Sequence, residues 1–241
     1  MLGRILGLTI FCFLPAFIAM AEQERDPSIA DPKSQARMSG PDHLLPLDND
    51  DPEWRRPYVA KLNAKLKPED FAFARMMCRP SFEGESLVFI HGGEKDRELE
   101  KTEKFQVTAR IAHESIWYSL PDHNEEKKDK EVTISTSTAP LEKALAVRLV
   151  KVWNQMLERT RKPDEGTAGL DGVTFEFSVP GKVGETWSPG EDVSPGMLVQ
   201  VGTVLREYAA AKPGEREALT KELKARVLKL EKYLAEHPPR K

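Results

Sequence analysis

The chain has 241 residues, 39% hydrophobic and 31% charged, with 36 Lys and Arg against 39 Asp and Glu and a formal net charge of −3. The two signs are interspersed and the aromatics do not interleave with Lys and Arg, which excludes a basic nucleic-acid footprint; no nucleic-acid partner is expected. Two cysteines, one of them inside an apolar leader, exclude a disulfide-stapled framework, so a packed core must carry the fold.

The leader is a separate object. Arg4 gives it a positive start, residues 5–17 are nearly all apolar, and Ala19-Met20-Ala21 offers an A-x-A cleavage site before Glu22. Residues 1–21 therefore read as a signal peptide, and the destination as secreted or periplasmic. An uncleaved anchor fits less well, because the run is short for a span of ~20 residues and contains Pro15. No transmembrane span is expected after cleavage. Thr9-Ile10-Phe11 before Cys12 lack the small residues of a lipoprotein site. Removing Arg4 leaves 35 basic residues against 39 acidic ones, a net of −4. Removing Cys12 leaves Cys78, which its neighbours Met76 and Met77 mark as a buried, inert thiol.

Residues 22–57 carry Pro27, Pro32, Pro41, Pro46, Pro52 and Pro57 and read as a disordered linker, with Leu44-Leu45-Pro46-Leu47 the one apolar interruption. Asp48-Asn49-Asp50-Asp51 fails as a calcium loop, since Pro52 and Glu53 fall where a ligand and a glycine are needed. Residues 58–237 are expected to form a single domain. Within it, 58–66 predicts one or two helical turns, and 71–78 and 86–90 predict strands. His91-Gly92-Gly93 reads as a turn, and Phe105, Val107, Ala109 and Ile111 alternate as a third strand. Ile116-Trp117-Tyr118 suggests the start of another strand, 122–130 a charged loop, and 131–138 a strand leading straight into a helix.

That helix, 140–161, is the best-patterned element: Leu141, Leu145, Leu149, Val152, Trp153, Met156 and Leu157 fall on one stripe. Thr138 reads as its N-cap and Pro140 as its first-turn residue. Asp171-Gly172 then predicts a tight turn, and Val173, Phe175 and Phe177 alternate as a strand with one wet face. Residues 180–195 read as a Gly/Pro loop. Two helices close the chain, the first from Ser194-Pro195 with Leu198, Val201, Leu205 and Tyr208 inward. The second carries Leu219, Leu223, Val227, Leu230 and Leu234; its stripe also allows an oligomerisation element, although packing within the chain is the simpler use. The class is α+β: an antiparallel sheet of about 4–6 strands packed by a central amphipathic helix and two C-terminal helices.

Catalytic signatures are sparse. His91-Gly92-Gly93 matches an esterase oxyanion loop, but the G-x-S-x-G nucleophile elbow that would accompany it does not occur. His113-Glu114 lacks the second His of a zinc-protease helix, and the contexts of His91, His113 and His123 do not predict convergence. No metal, no cofactor and no catalytic residue is assigned. Trp187 on the Gly/Pro loop, Asp171 in the turn and His91 are the candidate binding residues.

Arg79-Pro80-Ser81-Phe82, the helix with Trp153 and Met156-Leu157, the run Leu170-Asp171-Gly172-Val173-Thr174-Phe175-Glu176-Phe177, and Gly184-Glu185-Thr186-Trp187-Ser188-Pro189 form a set. It resembles the pattern of a family of uncharacterised exported bacterial proteins, across roughly residues 71–211. The resemblance implies one domain and carries no activity; Phe175, where Tyr looks usual, removes a hydroxyl from that position. The expectation is a non-enzymatic binding domain, its partner another envelope protein or a cell-wall component. The alternative is an envelope polysaccharide- or peptide-directed hydrolase using Asp171 with a His or Glu from the sheet.

Overall fold

The computed structural model describes residues 42–47, 52–68, 71–162 and 171–239. The leader, residues 22–41 of the linker, Asp48-Asn49-Asp50-Asp51 and the loop of Gly166 and Gly169 lie outside the described residues.

The elements run α1 (Arg56–Leu66), β1 (Ala72–Pro80), β2 (Ser86–His91), β3 (Phe105–Ala112), β4 (Ile134–Leu141), α2 (Lys143–Leu157), β5 (Val173–Val179), β6 (Lys182–Trp187), α3 (Ser194–Ala210) and α4 (Arg216–Glu236). The strands make one antiparallel sheet in the order β4-β3-β2-β1-β5-β6. The α+β class read from the sequence holds, with a central helix and two C-terminal helices against an open sheet.

On the first face, Met76, Val88, Ile90, Val107, Ala139 and Phe177 of the sheet meet Leu149, Trp153 and Met156 of α2. Leu198 and Leu205 of α3 and Val227 and Leu230 of α4 complete this core. Trp153 and Phe177 touch edge to face with ring centres 5.8 Å apart, an arrangement their quadrupoles favour. A bulge between Ala72 and Ala74 lets Phe73 join the same core. α4 packs within the chain, through Arg148–Glu231 to α2 and Arg226–Gln200 to α3.

The sequence predicted one wet sheet face, and here the structure differs. Met77, Leu87, Phe89 and Ala112 form a second core with Tyr58, Leu62 and Leu66 of α1 and with Ile116, Leu120 and Val132. The cause is β2, Ser-Leu-Val-Phe-Ile-His, whose side chains are buried throughout; an unbroken apolar strand cannot leave either face in water.

Three local readings change. Thr138 and Pro140 belong to β4, and α2 begins later, at Lys143. Proline fits there because β4 is an edge strand, where a missing amide hydrogen leaves no ladder bond unmade. The C=O of Pro140 accepts the Tyr208 hydroxyl at 2.8 Å. Second, Lys182–Trp187 is a strand, joined to β5 by Pro180-Gly181 with Gly181 at φ 78°, the residue order of a type II turn. Third, Ile116–Tyr118 is no strand: a 3-10 turn occupies Trp117–Ser119. The carboxylate of Glu85, 1% exposed, sets that turn by accepting the amides of Ile116 at 2.7 Å and Trp117 at 3.3 Å.

Residues 42–47, which composition placed in the linker, are a strap across the domain. Leu44 is fully buried in the first core, its C=O accepts the Arg161 amide, and Leu45 bridges to Glu185 on the edge strand β6 through bonds of 2.7 and 2.8 Å. Asp42 accepts the Ser194 amide at 2.8 Å and the Tyr233 hydroxyl at 3.1 Å. A carboxylate thereby reaches the positive end of α3 from a distant part of the chain.

Replacing Leu44 by Ala should cost about 2–5 kcal/mol, the range for an emptied core leucine, measured by urea denaturation. Burial first, then the Asp42 carboxylate, pushes the Tyr233 hydroxyl up to about 12. A proton held more tightly folded than unfolded stabilises the fold below the ordinary tyrosine value of about 10, and that contribution fades as pH rises towards 12. Tyr233→Phe should therefore flatten the alkaline limb of the stability-against-pH curve.

Candidate functional site

Alternation along the strands decides what the second face offers. β1 presents Arg75, Met77 and Arg79, β5 presents Thr174, Glu176 and Ser178, and β6 presents Val183, Glu185 and Trp187. α1 covers the apolar part of this face and leaves β5 and β6 beside it. The result is a trough of about 260 Å³ with Arg75, Arg79, Glu176 and Glu185 in its floor and Arg55, Lys67, Asn63, Val59 and Leu62 in its walls. Leu47 of the strap closes one side, and Met77 and Leu87 supply the apolar floor.

The charges are ordered along the strands. Arg79 Nη2 lies 3.2 Å from Glu185 Oε2, and Arg75 Nη2 lies 3.9 Å from Glu176 Oε1 while its Nε donates to Ser178. Among the described residues Arg55, Lys67, Arg75 and Arg79 line the trough with the two carboxylates. The Arg79 side chain is only 11% exposed. Among the described residues its Nε, also buried, has no hydrogen-bond acceptor. A buried donor left unmade costs about 1–3 kcal/mol.

An aromatic cluster lies beside the start of α1. Tyr58 is hydrogen-bonded to the buried Glu85, and burial, followed by that carboxylate, pushes its hydroxyl well above the ordinary tyrosine range. Trp117 meets Tyr58 at 5.3 Å and Trp54 at 5.7 Å between ring centres, and stacks on His123 at 3.8 Å. Trp54 is 63% exposed.

Of the residues singled out by sequence, Asp171 and Trp187 come together and His91 does not join them. Asp171 is exposed just before β5, and Trp187 ends β6, where the following Ser188 amide donates to Val173 C=O at 2.9 Å. Trp187 is 41% exposed and closes over Gly172, where an added Cβ would lie 2.6 Å from the indole ring. Close approach, and not a positive φ, is what requires glycine there. The turn is held by Ser81, whose hydroxyl donates to Gly172 C=O at 2.9 Å and accepts its amide at 3.1 Å. His91 pairs with Ala72 at the other end of β1 from Pro80 and Val173, about 26 Å away at ~3.3 Å per residue. Its Nδ1 donates to Gly92 C=O at 3.1 Å, which leaves Nε2 to accept the Thr108 hydroxyl at 3.0 Å.

His113 bonds to Ser135, so the three histidines of interest serve three separate neighbourhoods. Among the described residues no group of three or more His, Cys, Asp or Glu is placed to hold a metal ion, and no helix is long and apolar enough to cross a membrane. Cys78 is buried and its thiol is pushed up by that burial. A larger cleft of about 680 Å³ lies between α2 and α4, but Arg148 and Glu231 pair across it.

The trough residues Arg75, Arg79, Glu176 and Glu185 were not among the sequence candidates. Their signal was present as charge at alternate strand positions, and three of the four lie inside motifs that carried the resemblance. Those motifs sit on the adjacent strands β1, β5 and β6, with Arg79 of the first paired to Glu185 of the third. No protein-family model, no curated protein and no solved structure matches the chain.

Gly172→Ala should force Trp187 off the turn. A cost of about 1–3 kcal/mol in urea denaturation, with a red shift in tryptophan emission, is the expected outcome.

Proposed function

We propose that the chain is an exported, non-enzymatic binding domain of the periplasm or cell envelope, and that the trough beside α1, with Trp187 on the same sheet face, is its binding surface. The observation that carries this reading is the trough itself, apolar at Met77 and Leu87 and charged at Arg75, Arg79, Glu176 and Glu185. The leader of residues 1–21 supports export, since its positive start, apolar run and A-x-A end suit signal cleavage. The partner is another envelope protein or a cell-wall component, and the apolar floor of Met77 and Leu87 between charged walls suits a ligand with both characters.

The hydrolase alternative has less support. It needs Asp171 within reach of a second group that moves a proton; the sheet carboxylates Glu176 and Glu185 are paired with Arg75 and Arg79, and His91 stands at the far end of β1. His113 bonds to Ser135 beside the β4 edge, at the opposite side of the sheet from β5.

The test uses the full tagged chain in a bacterial host. The periplasmic or secreted fraction should contain protein starting at Glu22 by intact mass, and capture from envelope extract should depend on Arg79. Retention of the leader in a cytoplasmic fraction, or capture that Arg79→Met leaves unchanged, counts against the reading.

A further inference from the structure

We propose that the outer edge of β4 is a dimer interface, where two copies of this chain join as antiparallel strands about a two-fold axis at Thr136. The edge lies across the sheet from the trough, and nothing in the inference depends on that site.

The backbone supplies the first observation. The amide of His113 donates to Thr133 C=O at 3.0 Å, so in the unbroken register that follows, the ladder bonds fall on alternate pairs. Ile134, Thr136, Thr138 and Pro140 therefore turn their backbone groups away from β3. Two contacts agree with this. Pro140 C=O reaches outward to the Tyr208 hydroxyl, and Ala112, opposite Ile134, spends its amide on Glu85 C=O at 2.9 Å. Among the described residues no strand pairs with the outer side of β4, and no hydrogen bond engages the outward backbone groups of Ile134, Thr136 or Thr138.

The second observation is composition. A row of free amides and carbonyls is a template for another strand, so sheet edges are normally blunted by charge, proline, bulges or cover. β6, at the opposite edge, contains Lys182 and Glu185 and is bonded to the strap at Glu185. Ile134-Ser135-Thr136-Ser137-Thr138 has no charge and no proline, and its ladder has no register shift. Ser135, Thr136 and Thr138 are exposed. Isoleucine and threonine also favour the extended backbone that pairing needs.

The third observation, self-complementarity, selects a second copy over an unrelated strand. With the axis on Thr136, that residue meets its own equivalent and Ile134 meets Thr138 twice. Each such pair exchanges two bonds, six in all, and every outward group of these three residues is used. An axis at Thr138 would oppose Thr136 to Pro140, which has no amide and whose C=O is already engaged. The paired segments carry no charge, so no like charges face each other. Beyond their ends the count runs 142 to 130 and 143 to 129. Glu142 thus comes to the end that carries the partner's Lys130, and Lys143 to the end that carries the partner's Asp129.

The experiment is sedimentation equilibrium of the purified full chain over a range of concentrations, with thermal melting beside it. The wild type should rise with concentration to twice the mass of one chain. Thr136→Pro removes the amide at the axis from both copies, two of the six bonds, and should raise the dimer Kd about tenfold or more. This edge already accommodates Pro140, so the variant should still melt as a folded monomer. Thr136→Lys sets two lysines face to face and should raise Kd about threefold or more without touching the backbone. Cysteine crosslinking reads the register. Thr136→Cys puts two thiols on Cα atoms about 5.5 Å apart, within disulfide reach, so oxidation with diamide should give a covalent dimer. Thr138→Cys, whose opposite residue is Ile134, should not crosslink, nor should the wild type with Cys78 buried. The proposal is overturned if the wild type stays monomeric throughout, if both Thr136 variants dimerise as the wild type does, or if Thr138→Cys crosslinks as readily as Thr136→Cys.

Discussion

The second face of the sheet has to be covered, and the helix available to cover it is too small. The middle of β2, Leu87-Val88-Phe89-Ile90, is apolar, so water must be excluded from both of its faces. α1 has 11 residues, about 16 Å of helix at ~1.5 Å per residue. Six strands span about 24 Å at ~4.8 Å between neighbours. The helix, assisted by Ile116, Leu120 and Val132, seals β2 and its flanks and stops there. Beyond it, β5 and β6 present Thr174, Glu176, Ser178 and Glu185 beside the exposed Val183 and Trp187, and at the boundary the charges are half-desolvated. The trough is where coverage runs out.

That boundary sets the energetics of Arg79. A guanidinium taken largely out of water needs a partner, and a carboxylate brought to the same depth needs one too. Neither charge adds much to stability in the pair, because desolvation offsets attraction, but either alone would be costly. Ion pairs such as Lys221–Glu217 and Lys101–Glu98 are by contrast solvent-exposed and contribute little.

The parts of the fold legible in the sequence are those decided by local period. The stripe of α2 and the leucines of α4 could be read because burial repeats every three or four residues, and Val173, Phe175 and Phe177 because it repeats every two. What could not be read depends on distant partners. Pro140 carries the same signal for a first helical turn as for an edge strand, and only the position of β4 in the sheet separates the two. Lys182–Trp187 has little apolar alternation of its own; β5 supplies the ladder that makes it a strand. Asp42 reads as linker because Ser194 and Tyr233, the groups it satisfies, lie 152 and 191 residues away. The candidate site was half legible for the same reason. Trp187 and Asp171 were distinctive as residues, whereas Arg79 and Glu185 look like ordinary solvent-facing charges until the strands bearing them are laid side by side.

Glu185 has two duties that belong to different parts of the molecule. Its backbone receives the strap through both bonds to Leu45, and its side chain holds Arg79 in the trough. One residue of an edge strand thus anchors the strap through its backbone and pairs the buried guanidinium through its side chain, so a substitution that shifts the β6 backbone at Glu185 disturbs both at once.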